Sequence, residues 1–225
     1  MSQGQQTTDD GRLTGGVAAI LLAAGRSRRM GAFKPLLPFG TTTVVESCIS
    51  NLRGAGIVEI VVVLGHRAEE LRARLAEAPV RFALNDEAAS EMAASVARGV
   101  EQLSHASSAV VVALADHPAV TPGAIKSVLD ARVRTGARFV VPTWRGRGGH
   151  PVLVDLSYRA ELLRLAETRG LRGLFEAHAA EVARIEVACP YVARDMDTWE
   201  DYRALHEEVF GVPPPMQSPP GQGSS

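Results

Sequence analysis

Short apolar runs alternate with amphipathic stretches along most of the chain. Runs of β-branched and aliphatic residues predict strands near 17–22, 58–64, 80–84, 110–115, 139–142 and 182–188. Between them, apolar residues with helical spacing predict helices near 43–54, 67–77, 94–104, 121–135 and 197–209. Strands that are apolar throughout, such as IVVVLG and AVVVALA, are expected where helices cover both faces of a sheet. The pattern therefore predicts an α/β fold, a three-layer α/β/α sandwich with a mostly parallel, Rossmann-like sheet.

The two ends of the chain depart from this pattern. Residues 1–15 are rich in Gly, Gln, Thr and Asp, and residues 211–225 are rich in Pro, Gly and Ser. Segments of this composition bury too little apolar area to offset the entropy lost on ordering. We therefore expect disordered tails at 1–15 and 211–225 and a single domain over residues 16–210.

Composition and charge exclude several classes of protein. The chain is 46% hydrophobic and 22% charged, and its formal net charge of −1 argues against a general nucleic-acid binder. Cys48 and Cys189 are far apart and lack partners at metal-binding spacing, so neither a disulfide framework nor a zinc site is indicated. No apolar run approaches the ~18 residues of a membrane span, and the polar N-terminus does not resemble a signal peptide. The sequence predicts a cytoplasmic protein with no membrane or nucleic-acid partner.

A basic loop follows the first predicted strand. The run VAAILLAAGRSRRMGAFK breaks at Gly25, and the next nine residues contain no acid but carry Arg26, Arg28, Arg29 and Lys34. Glycines at 25 and 31 permit close backbone approach, and N–H groups with fixed cations suit a triphosphate. The spacing is neither a Walker A motif nor GxGxxG. Considered alone, such a loop is more often an ordinary βα connection with a solvated basic tip.

The longer string decides between these two interpretations. LLAAGRSRRMGAFKPLLPFG resembles the signature LAAGxSxRMGxxKxLLPxxG of the MobA-like nucleotidyltransferases, and most closely the molybdenum cofactor cytidylyltransferases. The resemblance implies a fold of the nucleotide-diphospho-sugar transferase type. It also implies transfer of CMP from CTP to the terminal phosphate of the molybdopterin-bound molybdenum cofactor, with release of pyrophosphate. The nucleotide-binding residues implied in this segment are Leu22, Ala23, Ala24, Gly25, Arg28, Arg29, Gly31 and Lys34.

A carboxylate follows the strand AVVVALA. Ligands of open parallel sheets bind beyond the carboxyl ends of the strands, so Asp116 is expected near the basic loop. From the residues alone, Asp116 is either a local cap or a metal ligand. ALADHP resembles the family element LxDxP, whose aspartate binds magnesium, although Ala115 stands where glycine is frequent. The resemblance thus implies that Lys34, Arg29 and Asp116 are the catalytic residues.

A second acidic cluster lies near the C-terminus. RDMDTWEDY resembles the family segment DxDTxED, which implies Asp197 as the second Mg²⁺ ligand, with Asp195 in reserve. The alternative for Asp197 is charge that complements a helix dipole, and this is our interpretation of Glu200 and Asp201. The expected cofactor is Mg²⁺, a cation that prefers one or two carboxylates plus phosphate oxygens.

The segment after the third strand resembles a family stretch that lines the nucleobase and ribose pocket. Asn85 and Ser95 are the positions that match, whereas Glu91 stands where glycine is usual. From composition alone, Met92 is a packing residue and Ser95 an N-cap. Related guanylyltransferases tend to have glycine at the position of Ala24, so the resemblance favours CTP over GTP.

Residues 143–155, TWRGRGGHPVLVD, interrupt the regular alternation with a loop that leads into a strand. GHPVLV matches the family loop over the acceptor, which implies that Arg145, Arg147 and His150 bind the acceptor's phosphate. Solvated loop charges are the alternative for the two arginines, and a loop hydrogen bond is the alternative for the histidine.

Two further functions are compatible with the sequence. One is transfer to a different phosphate acceptor, such as a sugar or polyol phosphate, or transfer from GTP. The other is a non-catalytic protein that delivers the cofactor to a molybdoenzyme. In either molybdenum-cofactor role, a molybdoenzyme or its chaperone is a possible partner.

Overall fold

A mostly parallel sheet forms the middle layer of the protein. The computed structural model describes residues 16–25, 30–85, 92–167 and 169–215. In chain order, the strands of this described part are β1 (Val17–Leu22), β2 (Pro38–Phe39), β3 (Thr42–Thr43), β4 (Ile60–Leu64), β5 (Arg81–Leu84), β6 (Ala109–Leu114), β7 (Phe139–Trp144), β8 (Arg147–Gly148), β9 (Val152–Asp155) and β10 (Val182–Glu186).

The main sheet has the order β10-β7-β9-β6-β1-β4-β5, with β8 paired to β7, while β2 and β3 form a separate small hairpin. Neighbouring strands of the main sheet run parallel except for β9, which pairs antiparallel to β6 and β7, and β8, which pairs antiparallel to β7. The carboxyl ends of the parallel strands therefore share one edge of the sheet.

Helices cover both faces of this sheet. They are α1 (Val44–Gly54), α2 (Ala68–Arg74), α3 (Met92–Glu101), α4 (Pro122–Thr135), α5 (Arg159–Leu163), α6 (Gly170–Ala177) and α7 (Trp199–Phe210). Ala19 and Leu21 of β1 pack in the same cluster as α1, α2 and α4. Ala18 and Ile20 pack on the opposite face with α3, α5 and α6. Because successive residues of β1 face opposite helical layers, all of them must be apolar. The predicted three-layer α/β/α sandwich is confirmed.

Differences from the predicted elements have local causes. β4 begins at Ile60 and not at residue 58, and the Val58 side chain before it is exposed to solvent. The sequence analysis did not predict α5 and α6, which have only five and eight residues and so provide too little periodicity. The packed chain also continues past residue 210, since the Val212 carbonyl accepts a hydrogen bond from His206 and Pro214 is buried. Within the described ranges, no helix has the length and apolarity needed to cross a membrane.

A buried ion pair joins α4 to β9. The guanidinium of Arg132 donates to Asp155 at 2.8 Å, and the two side chains are 5% and 10% exposed. Burial alone would raise the pKa of Asp155, but hydrogen bonds from Arg132 and Ser157 outweigh it and hold the pKa below its ordinary value. The carboxylate therefore stabilises the fold at neutral pH, and this contribution is lost as the pH falls through the lowered pKa.

We expect Arg132→Met to lower the free energy of unfolding by about 3 kcal/mol, because it leaves a buried carboxylate without its main partner. Urea denaturation at pH 7 measures this change. Lys126→Met is the matched control: it removes an exposed pair with Asp130 and should change stability by less than about 0.5 kcal/mol. Equal effects of the two substitutions would contradict the conclusion that the buried Arg132–Asp155 pair stabilises the fold.

Candidate active site

The carboxyl ends of β1 and β6 lie side by side. Leu22 is in register with Leu114, and the Leu22 carbonyl accepts a hydrogen bond from the Ala115 N–H at 3.1 Å. Asp116 follows two residues after the end of β6, at the same edge of the sheet at which β1 ends. The structure thus brings Asp116 to the edge of the sheet where the sequence predicted it.

Lys34 connects this edge to the start of α7. Its ammonium nitrogen lies 2.8 Å from Oδ1 of Asp197 and 3.4 Å from Oδ2 of Asp116. The Lys34 side chain is 9% exposed, whereas Asp116 is 29% and Asp197 is 37% exposed. In the chain, Asp116 lies 82 residues and Asp197 lies 163 residues after Lys34. The Lys34 ammonium is therefore held between two carboxylates at the edge where the parallel strands end.

The position of Asp197 depends on the start of α7. Thr198 is the N-cap of this helix and forms a capping box with Asp201. Asp201 also accepts a hydrogen bond from the backbone N–H of Asp197 at 3.1 Å. The Trp199 indole donates to the Met30 carbonyl at 2.8 Å, which ties the helix to the loop region after β1. Asp201 thus has the helix N-terminal role that the sequence predicted for it.

Asp195 has a different partner. His117 follows Asp116, its side chain is 4% exposed, and its Nε2 lies 3.1 Å from Oδ1 of Asp195. The hydrogen bond from His117 is the main reason that the pKa of Asp195 lies below its ordinary value. Of the two acids considered for the second ligand, Asp197 is therefore the one paired with Lys34.

Asp116 and Asp197 have the chemistry needed to hold a divalent cation. Their carboxylates already enclose one positive group, the Lys34 ammonium, and carboxylate oxygens are the ligands that hard cations prefer. Among the described residues, no group of three or more His, Cys, Asp or Glu side chains forms a metal site. Two carboxylates suit a cation such as Mg²⁺, which keeps water and substrate phosphates as its other ligands.

The residues implied for the base pocket lie together. Asn85 follows β5, and its amide donates to the Ser95 hydroxyl at 2.8 Å, with both side chains buried. Ser95 is the fourth residue of α3, so the N-cap interpretation is wrong. Met92 is 49% exposed, which also contradicts its interpretation as a packing residue.

The segment LLAAGRSRRMGAFKPLLPFG, called the glycine signature below, is closely packed at its start. A Cβ at Gly65 would lie 2.8 Å from the Ala24 Cβ, so the loop after β4 packs directly against Ala24. Ala23 is buried, and its N–H donates to the Val63 carbonyl at 3.0 Å. Gly31 has φ of +66°, a conformation that favours glycine. Arg26, Arg28 and Arg29 lie outside the described residues.

A cavity of about 830 Å³ opens beside this site, between α6 and the loop before β9. Apolar side chains and three arginines line its described wall, among them Val141, Phe175, Arg169, Arg172 and Arg184. Arg169 and Arg172 are paired with Glu176. This wall was missed in the sequence analysis, because α6 was not predicted and its arginines follow no motif.

The predicted acceptor residues are divided between two locations. Arg145 and Arg147 lie on the exposed β7–β8 hairpin and are not part of the described cavity wall. Glu186 holds this hairpin by accepting from the Arg145 N–H at 2.6 Å. His150, by contrast, lines the cavity, and its Nδ1 lies 3.3 Å from the Val112 carbonyl. Burial, reinforced by neighbouring His117, lowers the pKa of His150 to about 4. At neutral pH, His150 is therefore an uncharged hydrogen-bonding group.

Comparison with known proteins identifies the family. Residues 19–182 match the MobA-like NTP transferase domain. This chain belongs to that family. It is therefore a nucleotidyltransferase enzyme, which argues against the non-catalytic delivery protein considered above.

Relatives of this MobA-like NTP transferase carry different names. It is 30% identical to nicotine blue oxidoreductase of Paenarthrobacter nicotinovorans, over 84% of this chain and 96% of that protein. It is 25% identical to the molybdenum cofactor cytidylyltransferase of Escherichia coli K12, over 87% of this chain and 98% of that protein. One of these names is that of an oxidoreductase and the other that of a transferase, so the family assignment rests on the matched domain and the names leave the acceptor open.

The fold matches that of a solved relative. The crystal structure of Rv0371c from Mycobacterium tuberculosis H37Rv superposes with a TM-score of 0.74 at 29% identity, covering 86% of this chain and 98% of that one. The same protein has also been solved as a complex with manganese. The family and this complex together indicate a divalent-metal requirement.

We expect Mn²⁺ to stabilise the wild-type protein, because it would bind the folded carboxylate pair and not the unfolded chain. At about 100 times the dissociation constant, the free energy of unfolding should rise by about 2.7 kcal/mol. Asp116→Asn should abolish this increase, whereas Asp130→Asn, which changes an exposed acid on α4, should retain it. Thermal denaturation with and without Mn²⁺ provides the measurement. An unchanged response of Asp116→Asn would remove this carboxylate from the metal site.

Proposed function

We propose that this enzyme transfers CMP from CTP to the terminal phosphate of the molybdopterin-bound molybdenum cofactor. An oxygen of that phosphate attacks the α-phosphorus of CTP, the bond from this phosphorus to the bridging oxygen breaks, and pyrophosphate leaves with the electron pair. The products are the cytosine dinucleotide cofactor and pyrophosphate. The observation that carries the proposal is the Lys34 ammonium between Asp116 and Asp197, at the sheet edge next to the glycine signature.

The attacking phosphate needs no strong base. A phosphate monoester has its second pKa near ~6, so it is already anionic at neutral pH. Catalysis of phosphoryl transfer then depends on alignment of the reactants and on neutralisation of their charge.

Each site residue has a defined part in this proposal. Lys34 and the backbone between Gly25 and Gly31 hold the triphosphate, and Arg29, with Arg28 as the second choice, steadies the departing pyrophosphate. Asp116 and Asp197 hold Mg²⁺, which when bound supplies positive charge at the α-phosphate. Asn85 and Ser95 contribute to the base and ribose pocket, where their mutual hydrogen bond keeps both side chains in fixed positions.

The acceptor would occupy the cavity beside His150. Its volume of about 830 Å³ lies within the usual range for small-molecule sites. Apolar walls near Val141 and Phe175 suit a planar ring system, and Arg184 adds positive charge to the wall. Arg145 and Arg147 remain predicted phosphate partners from the resemblance; their exposed hairpin would have to reach the mouth of the cavity.

Pyrophosphate release tests the proposal directly. Purified enzyme with Mg²⁺ is incubated with CTP or GTP, each with the molybdenum cofactor, with a sugar phosphate, with a polyol phosphate or without an acceptor. We expect release with CTP and the molybdenum cofactor and at least about tenfold less in every other arm, since a buried polar site discriminates by more than this. Faster release with another acceptor or with GTP would replace the proposed substrate and retain the transferase.

Lys34→Ala and Asp116→Ala should each lower kcat/KM about 100-fold or more, because the first removes a cation that neutralises the triphosphate and the second removes a carboxylate proposed to hold Mg²⁺. Lys126→Ala and Asp130→Ala remove the same residue types from an exposed pair on α4 and should have wild-type rates. Circular dichroism establishes that the inactive variants are folded. A folded Lys34→Ala or Asp116→Ala enzyme with the wild-type rate would exclude that residue from the mechanism.

A further inference from the structure

A buried histidine lies between the two acid-bearing segments of the site. The His117 side chain is 4% exposed and faces both segments through one nitrogen, with Nε2 3.1 Å from Oδ1 of Asp195 and 3.9 Å from Oδ1 of Asp116. Its backbone is also fixed, since its N–H donates to the Leu114 carbonyl and its carbonyl accepts from the Val120 N–H. The imidazole is therefore held at one position relative to the end of β6.

The partner of His117 is much less constrained by its own surroundings. The Asp195 side chain is 70% exposed, and it belongs to the extended connection between Val192 and α7. The backbone next to it is held by packing, because Met196 is fully buried in a cluster that also contains Ala119. The exposed Asp195 carboxylate is itself held by the hydrogen bond from His117, which links it to the end of β6.

The connection is anchored on its other sides as well. The His150 N–H donates to the Val192 carbonyl at 2.7 Å. A Cβ at Gly149 would lie only 1.9 Å from the same carbonyl oxygen, so the two backbones are in direct contact there. On the helix side, Asp201 accepts from the Asp197 N–H. Between these two anchors, Asp195 is the point at which the connection is joined to the strand that delivers Asp116.

We propose that His117 is a positioning residue which, through Asp195, sets the separation of the Asp116 and Asp197 carboxylates and thereby the affinity of the site for a divalent cation. The inference rests on the proposed function, in which these two carboxylates hold the metal. His117 itself is not a ligand in this scheme, because its Nε2 is occupied by Asp195. Its effect on catalysis is indirect and follows from the geometry of the carboxylate pair.

Mn²⁺ binding to the full-length enzyme tests this role without measuring activity. Electron paramagnetic resonance of free Mn²⁺ gives the dissociation constant for wild type, Asp195→Asn, His117→Leu, His117→Gln and the double variant His117→Leu/Asp195→Asn. Loss of a group that orients metal ligands typically weakens binding by 10-fold to 100-fold, and we expect about tenfold for His117→Leu and Asp195→Asn. His117→Gln should recover most of the affinity, because its amide nitrogen can donate to Asp195 as Nε2 does.

The double variant distinguishes positioning from two unrelated effects. If His117 acts through Asp195, removing both should cost no more than removing either one, so the dissociation constants of the double and single variants should agree within about twofold. A dissociation constant of the double variant that is raised by the product of the two single-variant factors would overturn the inference. Asp195→Asn changes an exposed side chain and keeps the test valid if His117→Leu fails to fold.

Steady-state kinetics separates this inference from the proposed function. We expect Asp195→Asn to lower kcat at a fixed Mg²⁺ concentration while the KM for CTP stays within about twofold, and excess Mg²⁺ should restore kcat. A wild-type enzyme that binds Mn²⁺ and releases pyrophosphate, beside an Asp195→Asn variant with unchanged metal affinity, would overturn the role of His117 alone. A wild-type enzyme that binds no Mn²⁺ would overturn both. Asp130→Asn controls for loss of any surface acid.

Discussion

The Lys34 ammonium lies between the carboxylates of Asp116 and Asp197, and the geometry of the whole site depends on this contact. Two carboxylates in this position repel each other unless a cation lies between them, and partial burial strengthens the repulsion by lowering the local dielectric. The lysine comes from the glycine signature, three residues after Gly31, and the two acids come from the end of β6 and the start of α7. One electrostatic interaction thus joins three parts of the chain that share no strand or helix.

The rest of the fold keeps these three parts in register. Parallel pairing of β1 with β6 aligns the signature with Asp116, and the apolar faces of β1 fix the sheet between its two helical layers. The capping box of α7 and the indole of Trp199 hold Asp197 against the loop region. The formal net charge of the chain is only −1, so the site obtains its field from local charges and not from the protein as a whole.

The sequence was sufficient to predict the sheet, its covered faces and the residues that meet at its edge. Continuous apolar runs are a strong signal for buried parallel strands, and the rule for strand carboxyl ends brought Asp116 and Lys34 to the same region. The different partners of Asp195 and Asp197 could not be predicted, because both acids lie in one short motif and only the coordinates separate His117 from Lys34 as their partners. The cavity wall could not be predicted, since α6 is short and its arginines and Phe175 come from no recognisable pattern.

In the proposed function, the charged edge and the cavity have separate tasks. The Lys34, Asp116 and Asp197 cluster acts on phosphate groups and makes no reference to what lies behind the acceptor's phosphate. The described cavity wall draws on α3, α6, β10 and the segment from β7 to β9, and it includes none of Lys34, Asp116 and Asp197. Substitutions in that wall can therefore change the acceptor while the phosphate chemistry stays the same, in keeping with the general rule that one fold supports many functions. For this chain, the proposal therefore assigns selection of the acceptor to the cavity wall, with Arg184, Phe175 and His150 among the residues that would contact it.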